Sequence, residues 1–261
     1  MTATGSTSAG GRVADYRQQL AGLADIEAFL LKESRLPGAR GNLELAQAFA
    51  LEAPQDLIVT YAGRTEADAP GNTPQGFVAF CGVLGLGRLA AEGDQAALDQ
   101  LTLRASDRRW RIREAAAMAL QMVGRSDSNR LRRAVIHLAL GDRYQQRAAV
   151  AALCEPDLLG DPELAGYALD VLDTLTAGLA GADDRRSPGW QALRKTLGYG
   201  WSVLIVAAPA EGRRRFSAWL DRPDPDVRWL LRENLRKARL ARFDPNWVAA
   251  CQQRLEQGAP S

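Results

Sequence analysis

The sequence predicts an all-α protein, a right-handed α-solenoid in which antiparallel helix pairs stack on one another. Apolar residues recur at steps of three and four from Val13 to Glu256, which is the spacing of one helical face. Turn-forming segments rich in Gly, Pro, Asp and Asn interrupt this pattern every 12–20 residues. The helices are therefore short, and short connections make consecutive helices antiparallel neighbours.

The predicted solenoid is a single domain over residues 12–256. Residues 1–11 are small and polar and lack the apolar core of a secretory signal, so we expect a disordered tail there. Residues 257–261 are expected to be a frayed C-terminus. Alternating strand patterns are nearly absent, and DLIVTYAG (56–63) is the one short β-like run.

An internal repeat is the strongest evidence for stacked helix pairs. Three segments align on Trp110, Tyr144 and Trp229, and each has an Asp, an Arg just before the aromatic residue and a second Arg three residues after it. The first two aromatic residues are 34 residues apart, a usual length for a helical repeat. The Asp and later Arg residues are Asp107 and Arg113, Asp142 and Arg147, and Asp226 and Arg232.

These Asp and Arg residues are interpreted as a structural ladder. Each Asp falls at a predicted helix start, where a carboxylate caps free N–H groups and meets the positive end of the helix dipole. Each later Arg can then reach the Asp of an adjacent repeat, while the aromatic ring supplies packing mass between repeats. One helix pair cannot bury both of its faces, so the repeats must stack.

Two of these segments resemble the second helices of HEAT repeats, namely DRRWRIREAAAMALQ (107–121) and DPDVRWLLRENLRKARL (224–240). The chain is also similar to bacterial HEAT-like repeat proteins, a group that includes DNA alkylation-repair glycosylases. That resemblance implies a concave basic face around duplex DNA and an Asp with flanking Trp residues that expels an alkylated base. The chain has no Trp followed shortly by Asp on one helix, apart from Trp219 and Asp221, so it departs from the catalytic pattern of those glycosylases.

Asp170 and Asp173 are the weak catalytic candidates. A spacing of three places both carboxylates near one face of a helix, with Tyr167 one turn earlier. Such a pair could stabilise a cationic alkylated base. The alternative is a polar stripe on an amphipathic helix.

The charge distribution suggests a surface for an anionic partner. Residues 1–100 carry 7 basic and 12 acidic side chains, whereas residues 101–261 carry 26 basic and 19 acidic ones. Basic residues surround aromatic ones there, as in a groove that follows phosphates, although the same residues could serve packing and the ladder. The candidates for partner or phosphate contact are Arg109, Trp110, Arg111, Arg143, Tyr144, Trp190, Arg194, Lys195, Arg228, Trp229, Arg236 and Lys237.

Metal, nucleotide and redox sites have little support. The single histidine, His137, lies in the apolar run AVIHLAL and is expected in the core, so we predict no metal site. CGVLGLGRLA (81–90) contains G-x-G-x-x-A, the glycine pattern of a dinucleotide-binding site, but such a site also needs a second strand, and none follows. We therefore predict no nucleotide cofactor, and we expect these small residues to let two helices approach closely. The cysteines, Cys81, Cys154 and Cys251, are distant and odd in number, which favours free thiols and a cytoplasmic protein.

Two functions remain open at this point. The first is a non-enzymatic scaffold whose concave face binds a macromolecular partner. We expect that partner to be another protein, with duplex DNA as the second choice. The second is a DNA-binding protein or DNA glycosylase of the HEAT-like alkylation-repair type. No motif supports a small-molecule enzyme. The sequence contains no run of 18 or more apolar residues, so we predict no membrane span. Basic side chains tied to carboxylates would favour the scaffold, and a free basic strip would favour nucleic acid.

Overall fold

The computed structural model describes residues 9–257, which form fifteen α-helices and one short 3-10 turn, with no strand in that range. The prediction of an all-α protein is confirmed. The first helix begins at Ala9, inside the segment expected to be a tail. The other residues of the predicted tail, 1–8, lie outside the described residues, as do 258–261 of the predicted C-terminal end.

The chain forms two compact units, 1–126 and 127–261, where the sequence predicted one domain over 12–256. Unit 1 contains α1 to α7. These helices are α1 (Ala9–Ala21), α2 (Ile26–Glu33), α3 (Leu43–Glu52), α4 (Gln55–Ala62), α5 (Pro74–Glu92), α6 (Gln95–Arg104) and α7 (Trp110–Ser126).

In unit 1 the odd-numbered helices contact one another in chain order, α1 with α3, α3 with α5 and α5 with α7. The even-numbered helices α2, α4 and α6 each pack against α5. Gly93 ends α5 in the left-handed region, with φ of 117°, and Asp94 caps α6 directly after it. The chain therefore reverses within two residues, as expected for neighbouring antiparallel helices.

Helix α5 is the core of unit 1. It is long and apolar enough to cross a membrane by length and composition, but 78% of its most apolar stretch is buried inside the protein. Added side chains at three glycines would collide with neighbours: Gly82 with the backbone of α4, Gly85 with Ile58 and Gly87 with Ala119. The small residues of CGVLGLGRLA thus allow close helix contact, as predicted, and the residues directly before them, from Pro74, belong to the same helix.

The β-like run DLIVTYAG is helical, which corrects the sequence interpretation. Residues 56–62 belong to α4, where Ile58 and Tyr61 are buried and Val59 is 52% exposed. The Tyr61 ring stacks on Phe49 of α3 with centroids 5.6 Å apart. Packing in the core outweighs the strand preference of β-branched residues here, because propensity is only a weak bias.

Unit 2 contains α8 to α15 and the 3-10 turn Pro156–Leu158. The helices are α8 (Ser128–Leu140), α9 (Arg143–Leu153), α10 (Pro162–Leu179), α11 (Pro188–Ala207), α12 (Pro209–Trp219), α13 (Pro225–Leu235), α14 (Ala238–Phe243) and α15 (Pro245–Gln257). Again the odd-numbered helices contact one another in order, α9 with α11, α11 with α13 and α13 with α15, while α10, α12 and α14 pack against α11.

Aromatic residues fill the core of unit 2. The fully buried Trp201 of α11 meets Phe216 edge-on at 6.0 Å, and Phe216 meets Trp247 at 5.6 Å. The Trp201 indole N–H donates to the Thr176 hydroxyl at 3.1 Å, so its polar atom is satisfied in the core.

Asn234 joins α13 to the glycine-containing part of α11. Its side-chain oxygen accepts from the Ser202 N–H at 2.8 Å, and its NH₂ donates to the carbonyls of Leu197 and Leu230, both at 2.8 Å. The residue is fully buried. Each polar atom of this amide is therefore used to fix one helix against another.

Candidate partner-binding surface

The three repeat segments occupy different places in their helices. Trp110 is the first residue of α7, Tyr144 the second of α9 and Trp229 the fifth of α13. Trp110 is 54% exposed, whereas Tyr144 and Trp229 are half-buried. The aligned letters therefore do not give equivalent aromatic positions, and this part of the repeat interpretation is wrong.

The predicted helix cap is found at one of the three Asp positions. Asp142 caps α9 in a capping box with Gln145. Asp107 accepts from the backbone N–H of Arg109 at 2.8 Å, just before α7. At the third site Asp224 caps α13, and Asp226 lies inside the helix. Proline at the first helical position, Pro225, moves the cap two residues earlier than predicted.

Asp–Arg pairs join segments that are far apart in the chain, and arginines outside the predicted ladder make several of them. Arg113 donates to the carbonyls of Asp107 and Arg108 in its own segment. Arg143 instead pairs with Asp184 through two hydrogen bonds of 3.0 and 2.9 Å. Arg147 is half-buried and Arg232 is exposed.

The carboxylate of Asp226 faces two arginines. It pairs with Arg185 and with Arg194, whose Nε lies 2.9 Å from Oδ1. Arg185 also donates to Asp224. Burial raises the pKa of Asp224, but the hydrogen bonds from Arg185 and from the backbone N–H groups of Val227 and Asp226 together outweigh it, so the pKa lies below its ordinary value.

Arg109 is a structural residue. Its side chain is buried and donates to the Asp107 carboxylate at 2.9 and 2.7 Å, and to three backbone carbonyls. Burial raises the pKa of Asp107, yet the Arg109 hydrogen bonds leave it lowered. Arg109 therefore cannot contact a partner, contrary to its selection from the sequence.

Arg111 and Trp110 form a pair at the start of α7. The Arg111 guanidinium lies 4.3 Å from the centroid of the Trp110 ring. Arg111 is itself buried and donates to the Gly38 carbonyl and to Asn72. Burial lowers the pKa of Arg111. Of this pair, only Trp110 offers substantial surface.

Two of the three aromatic candidates of unit 2, Trp190 and Trp229, pack around one arginine. Arg194 lies 3.7 Å from the ring centroid of Trp229 and 5.7 Å from that of Trp190. Trp190 is buried, and a Cβ atom at Gly198 would lie only 3.2 Å from the Trp229 ring, a tight contact. The glycine thus makes room for the indole, so these residues hold α11 against α13.

The other basic candidates differ in exposure. Arg228 is buried and donates to the Leu255 carbonyl. Arg236 pairs with Glu233 at 2.7 Å, and Lys237 lies 4.0 Å from the same carboxylate. Lys195 is exposed.

The two acidic candidates bind an arginine. Arg215 lies 2.6 Å from Asp170 and 3.1 Å from Asp173, and the Trp219 indole N–H donates to Asp173 at 2.8 Å. Burial lowers the pKa of Arg215, but hydrogen bonds to Glu211 and Asp170 raise it overall. The carboxylates are thus neutralised by a cation of the protein itself, which favours the polar-stripe interpretation.

His137 is exposed on α8, so the prediction of a core histidine is wrong. Its neighbours Ile136 and Leu140 are also exposed, by 50% and 83%, because the apolar run continues onto the outer side of the helix. Among residues 9–257 no cluster of His, Cys, Asp or Glu could hold a metal ion. All three cysteines are buried and free.

An apolar groove of about 370 Å³ crosses the odd-numbered helices of unit 1, and the sequence analysis did not find it. Its apolar lining combines Leu51, which is 43% exposed, with the half-buried Met118 and Met122. The lining residues are Val13 of α1, Gln47 and Leu51 of α3, Leu84 of α5, and Met118, Gln121, Met122 and Arg125 of α7. Only the contact between helices that are distant in the sequence reveals this groove, so helical periodicity alone did not predict it.

Comparisons of the chain with protein-family models, curated proteins and solved structures found no match.

Proposed function

We propose that the chain is a non-enzymatic HEAT-like scaffold, a right-handed α-solenoid in the cytoplasm, whose concave face binds another protein. The groove of unit 1 carries this proposal. Residues of four helices line the groove, and the partly exposed side chains of Leu51 on α3 and of Met118 and Met122 on α7 offer an apolar surface, which marks interaction sites on proteins. Methionine is flexible and polarisable, so such a groove suits the apolar face of a partner helix.

The basic residues support the scaffold more than a nucleic-acid surface. Arg109, Arg111 and Arg228 are buried, while Arg143 and Arg194 are in ion pairs. The sequence RRR at 213–215 is paired too, with Asp244, Glu211, Asp170 and Asp173. Cations held in this way have less freedom to follow a phosphate backbone.

The experiment is site-specific photo-crosslinking in living cells. A photoreactive residue replaces Gln47, which is exposed and lines the groove, or Gln100, an equally exposed glutamine on α6. We expect discrete crosslinked proteins from position 47 and none from position 100. Leu51→Glu should abolish the crosslinks, because it places a charge in the apolar contact. Leu103→Glu, at a 62% exposed leucine of α6, should leave them intact.

Equal crosslinking at both positions would contradict the proposal. Crosslinks at position 47 that survive Leu51→Glu would also contradict it, since the groove would then not be the contact.

The alternative proposal is a DNA-binding protein or glycosylase of the HEAT-like alkylation-repair type. The exposed Trp110 ring, with a guanidinium on one face, is the observation that favours it, because such rings stack on bases. Fluorescence anisotropy with a labelled duplex, at about 50 and about 200 mM salt, tests it. Salt-sensitive binding that Trp110→Ala weakens would support this alternative, and no binding at the lower salt would end it.

A further inference from the structure

A second surface, in unit 2, has a different chemistry from the groove of unit 1. It is a pocket of about 530 Å³ between the 3-10 turn, the end of α11 and the short helix α14. Its lining residues are Pro156, Leu159, Gly160, Val203, Val206, Ala207, Arg239 and Arg242. Six of these eight residues are apolar or glycine, and the two others are arginines one helical turn apart.

The floor of the pocket is apolar and reachable from solvent. Leu159 and Val203 are buried beneath it, and Val206 is 38% exposed at its side. Valine and leucine surfaces in an open pocket gain free energy when another apolar group covers them. The floor is thus suited to one or two apolar side chains.

The two arginines of the pocket have no carboxylate partner of their own within the described part of the chain. Arg239 and Arg242 make no ion pair and no side-chain hydrogen bond with any residue between 9 and 257, whereas Arg143, Arg185 and Arg213 all pair with aspartates. Arg239 is half-buried, and Arg242 is exposed. A guanidinium on the edge of an apolar pocket presents a planar fork of donors that matches a carboxylate.

We propose that this pocket binds a short segment of a partner protein in which an apolar side chain is flanked by acidic residues. The apolar side chain covers Leu159, Val203 and Val206, and the acidic residues pair with Arg239 and Arg242. The arginines select a negatively charged ligand, and the apolar floor selects an apolar residue at the centre of the segment. The inference does not rest on the proposed function, because it concerns different residues and a different unit.

The probe is a phage-displayed library of random 12-residue peptides, selected on the immobilised full-length chain. The test variant is Arg239→Gln with Arg242→Gln. The matched control is Lys195→Gln with Arg232→Gln, which removes the same charge from two exposed cations of unit 2 that also make no ion pair among the described residues. Circular dichroism and thermal unfolding verify that both variants are folded.

We expect the selected peptides to be enriched in Asp and Glu around a Leu, Ile, Phe or Val. A labelled peptide of that sequence should bind the test variant at least about tenfold more weakly, because each charged hydrogen bond contributes about a factor of ten. The control variant should bind within about twofold of the unaltered chain, since its charges lie outside the pocket.

Val206→Glu gives a second, independent measurement. This exposed position tolerates a charge, and a carboxylate there would repel the acidic peptide while leaving both arginines in place. The proposal predicts a loss of binding at least as large as that of the arginine variant.

Three results would overturn the inference: no enriched peptide sequence, enriched peptides that are basic or uncharged, or equal binding by the test and control variants. None of them affects the crosslinks at position 47, so this inference and the proposed function can fail separately.

Discussion

Replacing Asn234 by alanine should destabilise unit 2 strongly, because this buried amide holds α13 against α11. Three hydrogen bonds of 2.8 Å would be lost, one accepted from Ser202 and two donated to Leu197 and Leu230. At about 1 kcal/mol for each bond, with more for any buried group left unpaired, we expect a loss of about 3 kcal/mol in the free energy of unfolding.

Urea unfolding followed by far-ultraviolet circular dichroism measures this loss. With a slope of about 2 kcal/mol per molar urea, the midpoint of the transition should fall by about 1.5 M. The control is Asn129→Ala, at an exposed asparagine of α8, which should change the stability by less than about 0.5 kcal/mol. Equal midpoints for the two variants would refute the reasoning, since the amide bonds would then contribute nothing net.

Three further predictions concern other buried groups. Arg109→Ala should lower the stability of unit 1 by about 3 kcal/mol in urea titrations, because it removes a buried guanidinium with its hydrogen bonds and leaves the half-buried Asp107 with only the more distant Arg104 among the described residues; a change below about 1 kcal/mol would argue against this. The lowered pKa of Asp224 stabilises the folded state above the unfolded pKa, so stability should fall as the pH drops below about 5. Asp224→Asn should flatten that dependence, and identical slopes with and without Asp224 would contradict it. Burial raises the pKa of Cys154 to about 12, so a thiol reagent at about pH 8 should label it only as fast as the protein unfolds; rapid labelling of the folded chain would count against its burial.

Periodicity and turn residues were enough to predict the all-helical structure, because a helical face repeats every 3.6 residues whatever its neighbours are. The cap at Asp142 and the close contacts at Gly85 and Gly87 were predicted for similar reasons. Both depend on local chemistry, namely a free N–H group or the absence of a side chain.

Partner choice between distant residues could not be predicted. Arg113 follows the repeat pattern but donates within its own segment, and Arg143 makes the contact with a later segment. Both arginines have the same charge and reach, so spacing alone could not distinguish them. The exposure of His137 was missed for a related reason, since an apolar run gives no indication of where a helix turns its face to solvent.

Tryptophan is distributed unevenly between the units: Trp110 is the only one in residues 1–126, and the other five lie in residues 127–261. Intrinsic fluorescence of the folded chain therefore originates chiefly from unit 2. The buried Trp201 should emit at shorter wavelengths, whereas the exposed Trp110 should emit at longer wavelengths, as a solvated indole does. Melting of unit 1 alone would change the dichroism signal and leave most of the emission unaltered. The two optical signals together can thus reveal whether the halves melt in one step or in two, with no label attached.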